Sequence, residues 1–183
     1  YAVIGHIRGG LASATLLGCG GFAALSGSSV ASALTMGKVS LSEMDRYGYD
    51  PRLSTGVVAA GGALGILIPP STGFVIFAIL TEQSIGRLFL AGVFPGLLLL
   101  AIFVITVSII CWFRPEAGPP GLRRSLSEKL TAVTGALPIL LVIASTIGGI
   151  YGGLFSPVEA AGVGAAFVII YGIVTRSLSL PAF

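Results

Sequence analysis

Charge is the scarce quantity in this chain. Only 9% of its 183 residues are Asp, Glu, Lys or Arg, and there is a single histidine. A water-soluble domain carries about a quarter charged residues, whereas this chain is 55% hydrophobic with mean hydropathy +1.01. That excludes a soluble enzyme and a disordered chain. The net charge of +3 comes with no basic stripe, so a nucleic-acid binder is excluded as well. Cysteine is also nearly absent. Cys19 and Cys111 lie far apart inside apolar runs, so no disulfide is expected, and with His6 they make no metal site. They read as small buried thiols. The chain opens on Tyr1 without the zones of a signal peptide and stops at Phe183 after an apolar segment. It is expected to be an internal piece of a longer membrane chain.

What the chain does have is long apolar sequence. Charge-free runs cover residues 9–37, 53–81, 88–113, 130–158 and 160–175. A helical pass through a bilayer takes roughly 20 apolar residues, so the first four suffice and the last is marginal. If 9–37 is a re-entrant hairpin and the others cross, Arg8, Lys38, Arg46, Arg52, Arg114, Arg123, Arg124, Lys129 and Arg176 share one side, with Arg87 on the other. The positive-inside rule makes the richer side cytoplasmic. A full crossing by 9–37 moves only Arg8, so charge orients the chain and leaves the hairpin open.

Polar residues 38–52 (KVSLSEMDRYGYDPR) suit a short interfacial helix with Leu41 and Met44 three apart, ended by Gly48 and Pro51. Residues 88–113 read as a spanning helix, with Pro95 near its beginning and Trp112 at the interface. Residues 114–129 are rich in Pro and Gly and then basic, which reads as a solvated cytoplasmic loop. Helices over 130–155 and 157–175 follow.

Three constellations interrupt this pattern. Gly18, Gly20 and Gly21 permit close helix packing, but Ser26-Gly27-Ser28-Ser29 gathers small and polar residues mid-run. Gly27 can adopt backbone angles that other residues avoid, and Ser28 or Ser29 can cap a helix starting at Val30. The alternative is an unbroken helix whose serines bond back to their own carbonyls. The second constellation runs from Gly61 to Ser71 (GGALGILIPPS). Pro69 and Pro70 have no N–H, so the carbonyls of Gly65 and Ile66 lose their helical donors, and Ile68 and Pro69 are pushed out of the helical region. Unpaired backbone at that depth survives only where it faces protein or a water-filled cavity. Bare carbonyls without an anionic side chain suit a hard monovalent cation such as Na⁺. The half-helix starting near Ser71 and Thr72 offers free N–H groups to an anion.

The candidate cation set is therefore Ser26, Gly27, Ser28, Gly62, Gly65 and Ile66, and the candidate substrate set Ser28, Ser29, Ser71 and Thr72. Broken helices presenting their ends to a midplane site are the mark of secondary transporters. The third constellation, Gly148 to Ala161, holds Ser156-Pro157 and Glu159, a strong helix start. Glu159 is an ionisable residue near membrane depth, but at the outer interface capping its own helix is enough.

In order along the chain, RGGLA (8–12), SGSSVASALTMGKVSLSEM (26–44), GYDPRLSTGVVAAGGALGILIPPS (48–71), ILTEQSIGRLFLAGVFPG (79–96) and GGIYGGLFSPVEAAGVGA (148–165) resemble the large membrane subunit of tripartite ATP-independent periplasmic (TRAP) transporters. The resemblance covers most of the chain in one register. Residues 156–160 depart from the family's more usual Thr at their first and third positions. The resemblance implies an all-α integral membrane protein, a fragment of an elevator-type carrier with two inverted halves, each with a hairpin and a broken helix. On that plan 9–37 is the first re-entrant hairpin, 53–81 the first broken transmembrane helix, and the second pair lies beyond Phe183. It further implies Na⁺ as coupling ion, no organic cofactor, and a small carboxylate delivered by a periplasmic substrate-binding protein. A small membrane subunit would be its partner in the bacterial or archaeal inner membrane.

Two other readings stand beside this one. A Na⁺/dicarboxylate or citrate symporter of elevator type would work without a binding protein. An intramembrane serine protease could use a serine of the SGSS segment, but it needs a base within reach, and His6 sits at the edge of the first run beside Arg8. A purely structural anchor has no use for two broken helices.

Overall fold

A computed structural model describes residues 3–121 and 125–175. The chain divides into two units, residues 1–129 and 130–183. Every regular element among the described residues is helical. Two stretches there, 51–81 and 85–113, are long and apolar enough to cross a membrane, with mean hydropathies of 2.1 and 2.8. Arg123, Arg124 and Arg176, part of the orientation argument, lie outside the described residues.

The first unit opens with a helical hairpin of α1 (Gly10–Ser26) and α2 (Ser29–Arg46). Gly27 turns the chain with φ +60°, a left-handed angle that glycine adopts freely. Ser28 is extended and accepts a hydrogen bond from the Ala31 N–H at 3.3 Å, capping α2. The interfacial helix expected over 38–52 is not a separate element, because α2 runs unbroken to Arg46. Nothing in residues 38–46 breaks a helix, and α2 has a face to bury: Gly37, Ser40 and Met44 are all buried. A Cβ placed on Gly37 would lie 3.3 Å from Val58 Cγ1, so this glycine lets α2 lie close on the next helix.

That helix, α3 (Pro51–Leu67), is capped by Asp50, which accepts the Arg52 N–H at 2.8 Å. It packs on both arms of the hairpin. After a break at residues 68–71 come α4 (Thr72–Thr81) and α5 (Ile85–Phe113). Ser84 caps α5, so the helix starts before residue 88 and Pro95 lies well inside it rather than near its beginning. Trp112 is exposed. Both cysteines are free and buried.

Residues 115–121, expected to be a solvated loop, are instead packed against the hairpin base. A single 3-10 turn, Pro115–Ala117, follows α5. The Gly9 N–H donates to the Gly118 carbonyl, the Asp50 N–H to Ala117, and the Gly121 N–H to Gly5, at 2.9, 3.0 and 2.7 Å. Ala117 is buried, and a Cβ on Gly118 would lie 2.6 Å from Cys111 Sγ. Leu11, Leu16, Met44, Tyr49, Val57, Val107 and Cys111 form the core at this end.

The helix α6 (Leu126–Tyr151) begins earlier than residue 130 and carries Pro138 in its interior. In the second unit it is followed by α7 (Pro157–Val174). Ser156 and Glu159 form a complete capping box, with the Ser156 N–H donating to the Glu159 carboxylate at 2.7 Å. Glu159 thus caps its own helix.

Tyr49 links the far ends of the hairpin. Its hydroxyl accepts the Leu11 N–H at 3.1 Å, one of the four donors that the start of α1 leaves unpaired. Burial pushes the Tyr49 phenol above its ordinary value. Tyr49→Phe leaves that N–H buried without a partner, a cost of about 1–2 kcal/mol. The purified protein in detergent is expected to melt at a lower temperature, and an unchanged melting point would show the bond to be dispensable.

Candidate functional site

The hairpin tip is a compact polar turn. The hydroxyls of Ser26 and Ser32 lie 3.2 Å apart, and Ser26 Oγ also accepts the Ser28 N–H at 3.4 Å. Ser32 is fully buried. It escaped notice in the sequence because it sits inside a helix and outside the SGSS run. Only its spacing to Ser28, one helical turn, hints at it.

The break in the second helix follows from proline chemistry. The Ile68 N–H makes the last helical bond of α3, to the Leu64 carbonyl at 2.8 Å, after which the chain is extended. Pro69 and Pro70, joined by a cis bond, offer no donor to the carbonyls of Gly65 and Ile66. Ser71 stands at the N-cap position of α4 but its side chain caps nothing. Its hydroxyl is 1% exposed as a residue and has no hydrogen-bond partner among the described residues.

Tip and break meet backbone to backbone. Thr72 donates both its N–H and its hydroxyl to the Gly27 carbonyl, at 3.2 and 3.1 Å. A Cβ on Gly27 would lie 2.6 Å from the Pro70 carbonyl oxygen, and one on Gly65 would lie 2.7 Å from the Ser28 carbonyl carbon. One on Gly62 would lie 3.3 Å from the Ser29 carbonyl oxygen. The structure thus brings together Gly27, Ser28, Ser29, Gly62, Gly65, Ser71 and Thr72, none of which carries a charge.

Three expectations change on this geometry. The Thr72 N–H is not free for an anion, because Gly27 takes it. The Gly27 carbonyl, with two donors on its two lone pairs, has no capacity left for a cation. The Ser26 hydroxyl is engaged within the tip, with Ser32 Oγ at 3.2 Å and the Ser28 carbonyl and N–H at 3.5 and 3.4 Å. Ile66 is 54% exposed, with its side chain beside Gly73. A cavity of about 430 Å³ lies between α3 and α5, lined by Leu53, Val57, Phe103 and Val107 with Arg52 and Arg114. It shares no lining residue with the crossing.

The whole chain bears a family signature. Residues 1–182 match the family model described as "Tripartite ATP-independent periplasmic transporter, DctM component". The chain belongs to this family. It is 47% identical over 166 residues to the C4-dicarboxylate TRAP transporter large permease protein DctM of Pseudomonas aeruginosa, covering 91% of this chain and 38% of that protein. It is 39% identical to the ectoine TRAP transporter large permease protein TeaC of Halomonas elongata, over 98% of this chain and 42% of that protein. To the sialic acid TRAP transporter large permease protein SiaM of Vibrio cholerae it is 33% identical, over 100% of this chain and 42% of that protein. The chain therefore spans about two fifths of these relatives. These relatives are named as permease proteins of transporters.

The close approach can be tested through two glycines of one helix. A Cβ on Gly56 meets nothing within 4 Å, while one on Gly65 strikes the tip backbone. Gly56→Ala is expected to stabilise the full-length permease by up to about 1 kcal/mol through helix propensity. Gly65→Ala is expected to destabilise it by about 1–3 kcal/mol through overpacking. Thermal unfolding of the two variants measures the contrast; equal shifts would mean that the approach is loose.

Proposed function

We propose that this chain supplies one half of the transport site of a Na⁺-coupled carrier for small carboxylates. The carrier works in the cytoplasmic (inner) membrane with a small membrane subunit and a periplasmic substrate-binding protein. The observation that supports this reading is the crossing itself: two interrupted helices meeting at uncharged oxygens around a buried, unpartnered hydroxyl, Ser71. Irregular backbone at membrane depth is tolerated only where it lines protein or a cavity, and secondary transporters build their sites in this way. The carbonyls of Gly65 and Ile66 and the hydroxyls of Ser28 and Ser71 are hard, neutral ligands that hold Na⁺ without trapping it. The N–H groups of α4 beyond Thr72, together with Ser29, are left to the carboxylate. α1 is about 25 Å long at 1.5 Å per residue, short of the hydrocarbon core, which favours re-entry by the hairpin.

A serine-protease reading fails on the same dimension. His6 lies before α1 and the SGSS turn after it, about 25 Å away along the helix axis.

In proteoliposomes holding the full-length permease, its small subunit and its binding protein, uptake of labelled C4-dicarboxylate, ectoine or sialic acid is expected to require a Na⁺ gradient. Equal uptake with K⁺ in place of Na⁺ would end the coupling proposal. Equal uptake without the binding protein would favour the symporter alternative.

Ser71 provides a sharper test. A buried hydroxyl without a partner costs about 1–3 kcal/mol, so Ser71→Ala is expected to be at least as stable as the parent in Na⁺-free buffer. If the hydroxyl is a ligand, the same variant loses part of the thermal stabilisation that added Na⁺ confers. An unchanged Na⁺ response would remove Ser71 from the site.

A further inference from the structure

The far side of the break rests on α5, and the contact is as close as the one with the hairpin. A Cβ placed on Gly92 would lie 3.1 Å from the Leu67 carbonyl oxygen, and one on Gly96 would lie 3.3 Å from the same atom. Gly92 and Gly96 are one helical turn apart, so the last carbonyl of α3 sits over a face of α5 where both residues of that turn are glycines. Gly96 also meets Ile68, with its Cβ position 3.0 Å from Cγ1, and Gly92 meets the ring of Phe74 in the first turn of α4. Both glycines are buried. Small residues at such a crossing let backbones approach, and Cα–H groups make weak contacts to a carbonyl at this range.

The end of α3 is therefore held between two backbones. On one side Gly62 and Gly65 receive the hairpin tip, and on the other Leu67 and Ile68 rest on Gly92 and Gly96. A methyl group on the α5 side meets side chains first, the Phe74 ring at Gly92 and Ile68 Cγ1 at Gly96, but even when these move the Leu67 oxygen at 3.1 and 3.3 Å is backbone. The end of α3 and α5 then have to separate slightly, which alters how α3 seats on the hairpin tip.

We propose that Gly92 and Gly96 are positioning residues that set how closely the broken helix approaches the hairpin tip, and through it the affinity of the cation site. This rests on the Na⁺ reading given above, and goes beyond it by assigning a role to residues of α5 that touch neither ion nor substrate.

The test uses the full-length permease with its partners in proteoliposomes, with Na⁺ as the varied ligand. Gly96→Ala is expected to raise half-saturating Na⁺ about threefold or more, with uptake at saturating Na⁺ and the amount of folded protein held near parent levels. Gly86→Ala, on the same helix and with only Ser84 Oγ nearby at 3.9 Å, is expected to leave Na⁺ affinity unchanged. Gly92→Ala is expected to behave like Gly96→Ala, and pairing it with Phe74→Leu, which removes the ring, should restore affinity only in part because Leu67 remains displaced. Full restoration would place the effect in the ring and overturn the proposal. So would unchanged Na⁺ affinity in Gly96→Ala, or its loss from the membrane while Gly86→Ala persists. If the parent itself shows no Na⁺ dependence, it is the coupling reading that fails.

Discussion

Thr72 gives its N–H and its hydroxyl to one carbonyl, that of Gly27, and this join holds two interrupted helices against each other. Each interruption alone is costly in an apolar setting, because it leaves main-chain groups without their helical partners. Brought together, each satisfies part of the other. The hairpin tip supplies an acceptor to the first turn of α4, while Ser28 caps α2 from within the same turn. The approach leaves no room for side chains, so Gly27, Gly62 and Gly65 stand where it is closest. What the join leaves over, namely the carbonyls freed by the two prolines and the Ser71 hydroxyl, is the polar material from which the proposed ion site is made.

The other end of the unit is built on different principles. There the segment after α5 is bonded to residues 5–9 and to Asp50, and Tyr49 pairs with the start of α1. Cys111 fills the space between Gly9 and Gly118. Hairpin, α3 and α5 are thus fastened at a polar base and again at the glycine contacts near the break. In the proposed carrier such double fastening keeps the half-site intact while the surrounding membrane protein changes conformation. At the base the hydroxyls of Tyr49 and Ser54 are hydrogen-bonded, whereas that of Ser71 at the break has no partner among the described residues.

Much of this was legible along the chain, because the signals are local. Pro69 and Pro70 lack an N–H in any fold, so the break could be placed to within a residue or two. Ser28 caps α2 through a bond three positions on, and Ser156 and Glu159 cap α7 reciprocally. Apolar run length is a property of composition, and the runs 53–81 and 88–113 fall in the two stretches long and apolar enough to span a membrane. The less successful expectations share a cause. The polar residues of 38–46 suggested an interface, but Gly37, Ser40 and Met44 have a partner in α3 that keeps the helix going. The Pro- and Gly-rich stretch after α5 suggested a solvated loop, but its carbonyls are acceptors for N–H groups more than sixty residues earlier in the chain.

The sequence by itself determined that the chain is helical, apolar enough for a membrane, and broken at Pro69-Pro70, while it left the break at Gly27 open. These follow from hydropathy and from the N–H that proline lacks. Only the tertiary structure decided that the two breaks meet, that Gly27 consumes the Thr72 N–H, that Ser71 is left buried with no partner among the described residues, and that α5 offers two glycines to Leu67. A backbone carbonyl is the same group at every residue. Which donor it takes is settled by where folding brings it, and no side chain along the chain records that choice.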